Sequence, residues 1–452
     1  MLRTVMVALT SATAIVSPAA AQQVDHSAMD HSKMDHSQTD HPAMDHGSMA
    51  MPPSREQATP APLHGMHHGM GPANGAYSTG SGTARLPGAE PHGPAFHLMA
   101  GDWMVMLHGI ASAQYTAASG PRGSDKLYTT SMLMGTASRT TGWGKVQVRT
   151  MLSHEPTLRR DGYPNLFATG ETAYGKPLVD RQHPHDLVME LSARVDVNVA
   201  PDTALFLYGG PAGEPALGPS MFMMRGSAIY NPEPPITHHW FDSTHITYGV
   251  VTAGVTSRLF QLEASAFRGR EPDERRWNIE SGKLDSWSVR GTLTPSPRWA
   301  IQASYGQIKE PEATHPGEDE RRFTASAHYA DGRRLSAMLA FSAKRRVPGE
   351  TLTAMIAEAS WKLDPHNAMF GRIENVGNDE LFPDHAKGTG DHEHAERVTK
   401  LQAGYARLVP TAAGELALGA TVSTFAKPAS LSAAYGQTPV QATVFARIRF
   451  GR

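Results

Sequence analysis

The stretch LVMELSARVDVNV, residues 187–199, splits into two unlike rows when alternate residues are taken together. One row is Leu187, Met189, Leu191, Ala193, Val195, Val197 and Val199; the other is Val188, Glu190, Ser192, Arg194, Asp196 and Asn198. Alternate side chains of a strand stand on opposite faces, so a period of two predicts a strand with one apolar and one polar face. A soluble sandwich and the wall of a membrane barrel both alternate in this way, and the neighbouring segments must choose between them.

Those segments repeat the pattern and add a detail. In WMVMLHGIASAQY, residues 103–115, the apolar row is Trp103, Val105, Leu107, Gly109, Ala111, Ala113 and Tyr115, with an aromatic at each end. The rows Trp287, Val289, Gly291, Leu293, then Trp299, Ile301, Ala303, Tyr305, then Phe323, Ala325, Ala327, Tyr329 follow suit. Aromatic rims around small or aliphatic residues predict strands that face lipid on one side and a polar lumen on the other. About sixteen candidate strands follow residue 98, each near the ~10 residues that a tilted spanning strand needs. Their connections alternate. TTGW at 140, APD at 200, TSR at 256, TPSPR at 294, ADGR at 330, LDPHN at 363 and VPTAAG at 409 are the short ones. Loops near 117–126, 155–185, 211–243, 270–283, 310–320, 347–351, 377–396 and 428–438 lie between them. Short turns alternating with longer loops, over an even number of strands, predict an all-β fold: a transmembrane antiparallel up-and-down β-barrel. The last segment, VFARIRF, places Val444, Ala446, Ile448 and Phe450 outward and resembles the closing strand of outer-membrane barrels, although Gly451 and Arg452 follow the final aromatic.

The other end of the chain predicts where the barrel goes. Residues 1–21 carry Arg3, an apolar run and a small-residue end at Ala19–Ala21, the layout of a secretory signal. No later apolar run reaches the ~20 residues of a spanning helix. The expected organisation is a signal peptide (1–21), a tail (22–97) and an outer-membrane barrel (98–452), the tail lying in the periplasm. The tail is rich in Pro, Gly, Ser, His and Met and poor in aliphatics, which predicts disorder. With a formal charge of −2 and no phosphate-binding loop, the chain has no mark of a nucleic-acid partner.

The tail has its own chemistry. DHSAMDHSKMDHSQTDHPAMDHGSM, residues 25–49, repeats a five-residue unit that supplies His26, His31, His36, His41 and His46, with Met29, Met34, Met44 and Met49. HGMHHGM adds His64, Met66, His67, His68 and Met70. The chain has no cysteine, so any metal must be held by His, Met, Asp or Glu. Imidazole and carboxylate suit Cu(II), thioether suits Cu(I), and imidazole alone also accepts zinc or nickel, so the pairing with methionine points to copper first. The bland alternative is a solvated spacer grown by repeat slippage. These repeats resemble the leader of the copper resistance protein B family, outer-membrane barrels of bacterial copper-resistance operons. The resemblance covers the tail in kind and the barrel in architecture. It implies a barrel that moves or sequesters copper at the outer membrane, with periplasmic copper proteins as partners.

The barrel carries further donors. By parity Met104, Met106 and His108 point inward, as do Met132 and Met134 in LYTTSMLMGTAS, and Met151 follows. They could equally pack against a plug or inserted loop, since methionine fills gaps. Among the long loops, DRQHPHD offers His183 and His185, PITHHWFDSTH offers His238, His239, Asp242 and His245 after Met221, Met223 and Met224, and DHAKGTGDHEH offers His385, His392 and His394. Single loop histidines are usually solvated; three clusters on one rim predict metal ligands. Loops of this length could also fold into the lumen. Two rivals remain. One is a diffusion porin with an open lumen and an idle tail. The other, less favoured because no nucleophile motif accompanies it, is a barrel lipid hydrolase using Ser243 with His245 or His239; the chain is expected not to be an enzyme.

Overall fold

A computed structural model describes residues 75–91, 93–383 and 395–451. Sixteen antiparallel strands close into a barrel. In chain order they are β1 Trp103–Ala118, β2 Asp125–Thr141, β3 Gly144–Leu152, β4 Val188–Ala200, β5 Thr203–Gly213 and β6 Thr247–Ser257. Then come β7 Phe260–Phe267, β8 Ser286–Ser296, β9 Trp299–Ile308, β10 Asp319–Ala330, β11 Leu335–Val347 and β12 Thr351–Asp364. The circuit ends with β13 Asn367–Asn378, β14 Glu396–Thr411, β15 Gly414–Ala426 and β16 Val440–Phe450. β16 pairs with β1 from Gln441↔Ala118 to Phe450↔Gly109, which closes the ring, and Phe96–Ala100 pairs with the remaining end of β1. All seven predicted short turns fall between strands, and all eight predicted loops fall at the opposite end.

Alternation sets the wall. Leu205, Leu207, Leu262, Leu293, Ile373 and Val422 are exposed on the outside, where lipid would cover them. Trp299 packs on Tyr329 across β9 and β10, and Trp287 on Tyr305 across β8 and β9, giving aromatic bands at two heights. One position breaks parity. Met189 belongs to the apolar row of residues 187–199, yet it is buried, because the register of β4 against β3 shifts between Val188 and Glu190. The bulge puts one extra residue on β4 and turns Met189 and Glu190 inward together.

The lumen is filled. The inward residues Arg149, Arg194, Glu263, Arg290, Arg322, Lys344, Glu358, Arg372 and Lys400 are all buried. Two inserts cover them. The first is a hairpin, Tyr77–Thr79 paired with Arg85–Pro87. From it the Arg85 guanidinium donates to Gln261 (3.2 Å), Thr294 (3.3 Å), Thr256 and the Ser257 carbonyl (2.6 Å), and lies 3.6 Å from the Tyr77 ring centre. Thr83 donates to Glu263, and the Ala89 amide to the Pro297 carbonyl in the β8–β9 turn (2.7 Å). The tail therefore ends earlier than its composition predicts: residues 75–91, assigned to a disordered tail, fold as a plug. Local composition could not support a core there, but the barrel wall supplies the partners.

The second insert is the β5–β6 loop, residues 214–246, which crosses the lumen. Arg225 donates to Glu358 on β12 (2.8 Å), the Thr237 amide to Glu374 on β13 (3.0 Å), and Ser342 on β11 to the Trp240 carbonyl (2.7 Å). Glu233 accepts from Lys400 (3.1 Å), Gln402 (2.7 Å) and Gln441 (3.0 Å) on β14 and β16. A buried carboxylate or guanidinium is tolerated when it is paired and hydrogen-bonded, so these contacts hold the loop against a wall of complementary charges.

Candidate metal centre

Two loops far apart in sequence bring five histidines into one buried cluster. His183 and His185 come from the β3–β4 loop. His238 and His239 lie on a one-turn helix, His238–Phe241, and His245 on the turn after it. Ring centres are 5.8 Å apart for His183 and His238, 6.1 Å for His183 and His239, 5.2 Å for His238 and His239, 5.1 Å for His238 and His245, and 5.3 Å for His185 and His245. Nitrogens of His183, His238 and His239 lie within 4.8 Å of one another.

Four of the five rings are aimed by what their Nδ1 bonds. His185 Nδ1 donates to Glu155 (2.9 Å), His238 Nδ1 to Asp242 (2.9 Å), His245 Nδ1 to the Asp242 carbonyl (2.6 Å) and His183 Nδ1 to the Pro184 carbonyl (3.2 Å). The Nε2 atoms of His185 and His245 are buried with no hydrogen-bond partner among the described residues, and His183 Nε2 faces a Glu171 carboxylate oxygen at 3.3 Å. A histidine that anchors one nitrogen on a carboxylate or carbonyl and leaves the other bare and buried is oriented as metal ligands are. Packing is tight: a side-chain carbon at Gly170, whose φ is +108°, would lie 2.5 Å from the His239 ring.

Electrostatics favour the neutral, ligating form at three of the five. Burial, then Arg276, holds His183 well below the usual imidazole range; burial, then His238, does the same for His245, and burial lowers His238. At His239 burial is outweighed by Glu271, Glu171 and Glu312, which push it up to about 9, and Glu155 outweighs burial at His185. His239 Nδ1 lies 3.5 Å from Glu271 and 3.9 Å from Glu312.

Sulfur lies alongside. Met132, Met134, Met151, Met189 and Met221 form one buried cluster together with Ala212, Ile246 and Tyr248, and Met106, Met223 and Met224 pack against it. Phe222 joins the two regions, its ring 6.3 Å from both His185 and His238. His108 stands opposite Met134 in the β1–β2 register, whereas Met104 pairs with Met99 and Ser138, away from the cluster. Thus the loop histidines His183, His185, His238, His239 and His245 and the inward methionines Met106, Met132 and Met134 come together, and Met104 does not. The tail residues His26 to Met70 and the loop residues His385, His392 and His394 lie outside the described residues. Residues the sequence did not single out are Glu155, Glu171 and Glu271; the first two are lone loop glutamates, and the third opens a charged run, EPDE, that carries no metal-ligand spacing. The Ser243–His pairing of a hydrolase does not form: Ser243 Oγ accepts from Arg322 (3.0 Å), and the His245 and His239 rings face other partners.

No family model matches the chain, and no curated protein matches it. In fold it is similar to OmpF of Salmonella typhi, solved in complex with daunomycin, at 9% identity over 78% of this chain and 100% of that one, with a TM-score of 0.51. OprB of Pseudomonas putida (8% identity, 77% and 94% coverage, TM-score 0.48) and an anion-selective porin from Comamonas acidovorans (12%, 77% and 100%, TM-score 0.46) are similar more loosely. At these identities the likeness is one of fold, and the fold is that of an outer-membrane porin-like barrel.

Proposed function

We propose that this outer-membrane barrel captures copper in the histidine–methionine chamber and sequesters it there or passes it across the membrane. The observation that carries this reading is a buried cluster of five histidines, with the Nε2 atoms of His185 and His245 free of hydrogen bonds among the described residues, beside a buried cluster of methionines. Imidazole serves Cu(II) and thioether serves Cu(I), so the pair accommodates both oxidation states, while zinc or nickel would use the histidines alone. On this reading the tail's aspartate, histidine and methionine repeats collect the same ion on the periplasmic side and periplasmic copper proteins exchange with it. Copper is the cargo, and no chemical step is asked of the protein.

The second reading is a diffusion porin, favoured by the sixteen-strand porin-like fold. One experiment separates the two. In proteoliposomes loaded with a Cu(I) chelator, the full chain is expected to admit copper while conducting small inorganic ions poorly. The combined His183→Asn, His238→Asn and His245→Gln chain, checked for a folded barrel by its heat-dependent gel mobility, is expected to admit little. Ion conductance like that of an open pore, with copper entry indifferent to the three substitutions, would hand the case to the porin.

A further inference from the structure

Beyond the chamber, toward the loop end of the barrel, His239 belongs to a second group. Oxygen atoms of Glu171 and Glu271 and a nitrogen of His239 lie within 4.8 Å of one another. The three residues come from three different loops, β3–β4, β5–β6 and β7–β8, so no local sequence pattern announces them. We infer that Glu171, His239 and Glu271 form a divalent-cation site at the outer mouth of the chamber, sharing His239 with the histidine cluster and using carboxylates in place of its other imidazoles.

Three observations support it. First, His239 Nδ1 and Glu271 Oε1 face each other at 3.5 Å, yet neither has a hydrogen-bond partner among the described residues. His239 is 4% exposed and the Glu271 side chain 8%, so water does not freely compensate them.

Second, the surrounding charges leave room for a cation. Glu312, the other carboxylate near His239, is already matched by Lys344 (2.6 Å) and Arg346 (3.2 Å), and Glu171 gives one oxygen to Arg276 (3.0 Å). Glu171 keeps its other oxygen 3.3 Å from His183 Nε2, and Glu271 has no ion-pair partner among the described residues except His239. A buried carboxylate is normally paired or bound to metal, and among the described residues His239 is the one ion-pair partner Glu271 has. The comparable group Glu312, His315 and Glu380 differs on this point: Arg346 lies 3.2 Å from Glu312 and 3.6 Å from Glu380, so its charge is satisfied.

Third, the site has an approach. A cavity of about 230 Å³ is lined by Glu171 and Glu271 and extends past Thr172, Asp273, Glu274 and Arg275. Asp273 and Arg275 are exposed, so the cavity reaches solvent at the loop end. Two carboxylates and one imidazole select hard or borderline divalent ions such as Zn(II) and Cu(II), and disfavour Cu(I). Its carboxylate donors set it apart from the chamber, with which it shares His239.

The test uses crystals of the full chain soaked in Zn(II), with anomalous scattering recorded at the zinc edge. The expected result is a peak bounded by Glu171, His239 and Glu271 that is lost in Glu271→Gln and kept in Asp273→Asn, a change in the cavity wall that removes no ligand. A second soak in Cu(II) reports on the chamber through any peak among His183, His185, His238 and His245. No zinc peak at the mouth of the wild-type chain, or one of undiminished height in Glu271→Gln, would overturn the inference. A mouth peak without a chamber peak would keep it and count against the copper reading; a chamber peak alone would do the reverse. Should Glu271→Gln fail to give folded protein, Glu171→Gln serves in its place, and the wild-type peak decides by itself whether the site exists.

Discussion

Asp242 holds more of the chamber than any other single residue. Its carboxylate accepts from His238 Nδ1 (2.9 Å), Arg225 (2.9 Å) and the Phe222 amide (3.0 Å), while its carbonyl accepts from His245 (2.6 Å). Burial opposes the charged form, but Arg225 and His238 outweigh it and hold the carboxyl far below its usual range. Replacing it by asparagine keeps the shape and leaves Arg225 its bond to Glu358. The expected outcome is copper affinity weaker by roughly 10–100-fold, the usual cost of losing a partner that orients a ligand, with a folded barrel. Competition with a copper chelator measures it, and unchanged affinity would contradict the positioning role. The methionines separate packing from ligation differently. Changing Met132, Met134 and Met151 to leucine conserves volume and should cost less than about 1.5 kcal/mol each. If the thioethers serve as ligands, Cu(I) retention falls while heat resistance is kept; if they only pack, retention persists.

Among the elements, the plug hairpin and the crossing loop fill the lumen. Arg85 ties the hairpin to β6, β7 and β8 through Thr256, Ser257, Gln261 and Thr294. Arg85→Ala removes these bonds together, so single-channel conductance in planar bilayers is expected to rise several-fold in open-time average. Conductance equal to wild type would mean that the crossing loop alone seals the pore. The far end of the plug is pH-sensitive. Glu90 accepts from the Gly226 amide (2.9 Å), and burial raises its carboxyl from 4.5 to about 8 against the pull of that amide and Arg225. The docked form therefore holds a proton that the free form has released. Docking is fully favoured below about 4.5 and weakens as pH rises through about 8. Protease sensitivity of residues 75–91 should climb over that interval in wild type and stay flat in Glu90→Gln; a flat wild-type profile would contradict the account.

For the whole molecule, closure of sixteen strands predicts a band whose gel mobility changes on boiling, because such barrels resist detergent until heated. Deleting residues 25–70 removes no strand, so the barrel should still reach the outer membrane. If the tail collects copper, cells carrying that deletion tolerate less of it. A peptide of residues 25–70 should also lose Cu(II) as pH falls through about 6.5, where imidazole protonates, and keep Cu(I) on its thioethers to lower pH. Unchanged tolerance with normal barrel levels would make the repeats a spacer.

The sequence by itself determined the wall of this protein. Strand count, the order of turns and loops, the lipid-facing rows and the inward placement of Met106, Met132 and Met134 are all written in a period of two, because a strand's faces depend only on neighbouring residues. It also named His183, His185, His238, His239 and His245 as candidates, since histidine pairs are visible wherever they fall. Tertiary structure alone decided what those candidates face. That Met189 turns inward depends on a register shift against β3, that residues 75–91 fold depends on partners as far as 209 positions away, and that Glu155, Glu171 and Glu271 meet the histidines depends on loops converging inside the ring. These are long-range contacts between residues whose local surroundings carry no periodic signal, and only closure of the barrel brings them within reach.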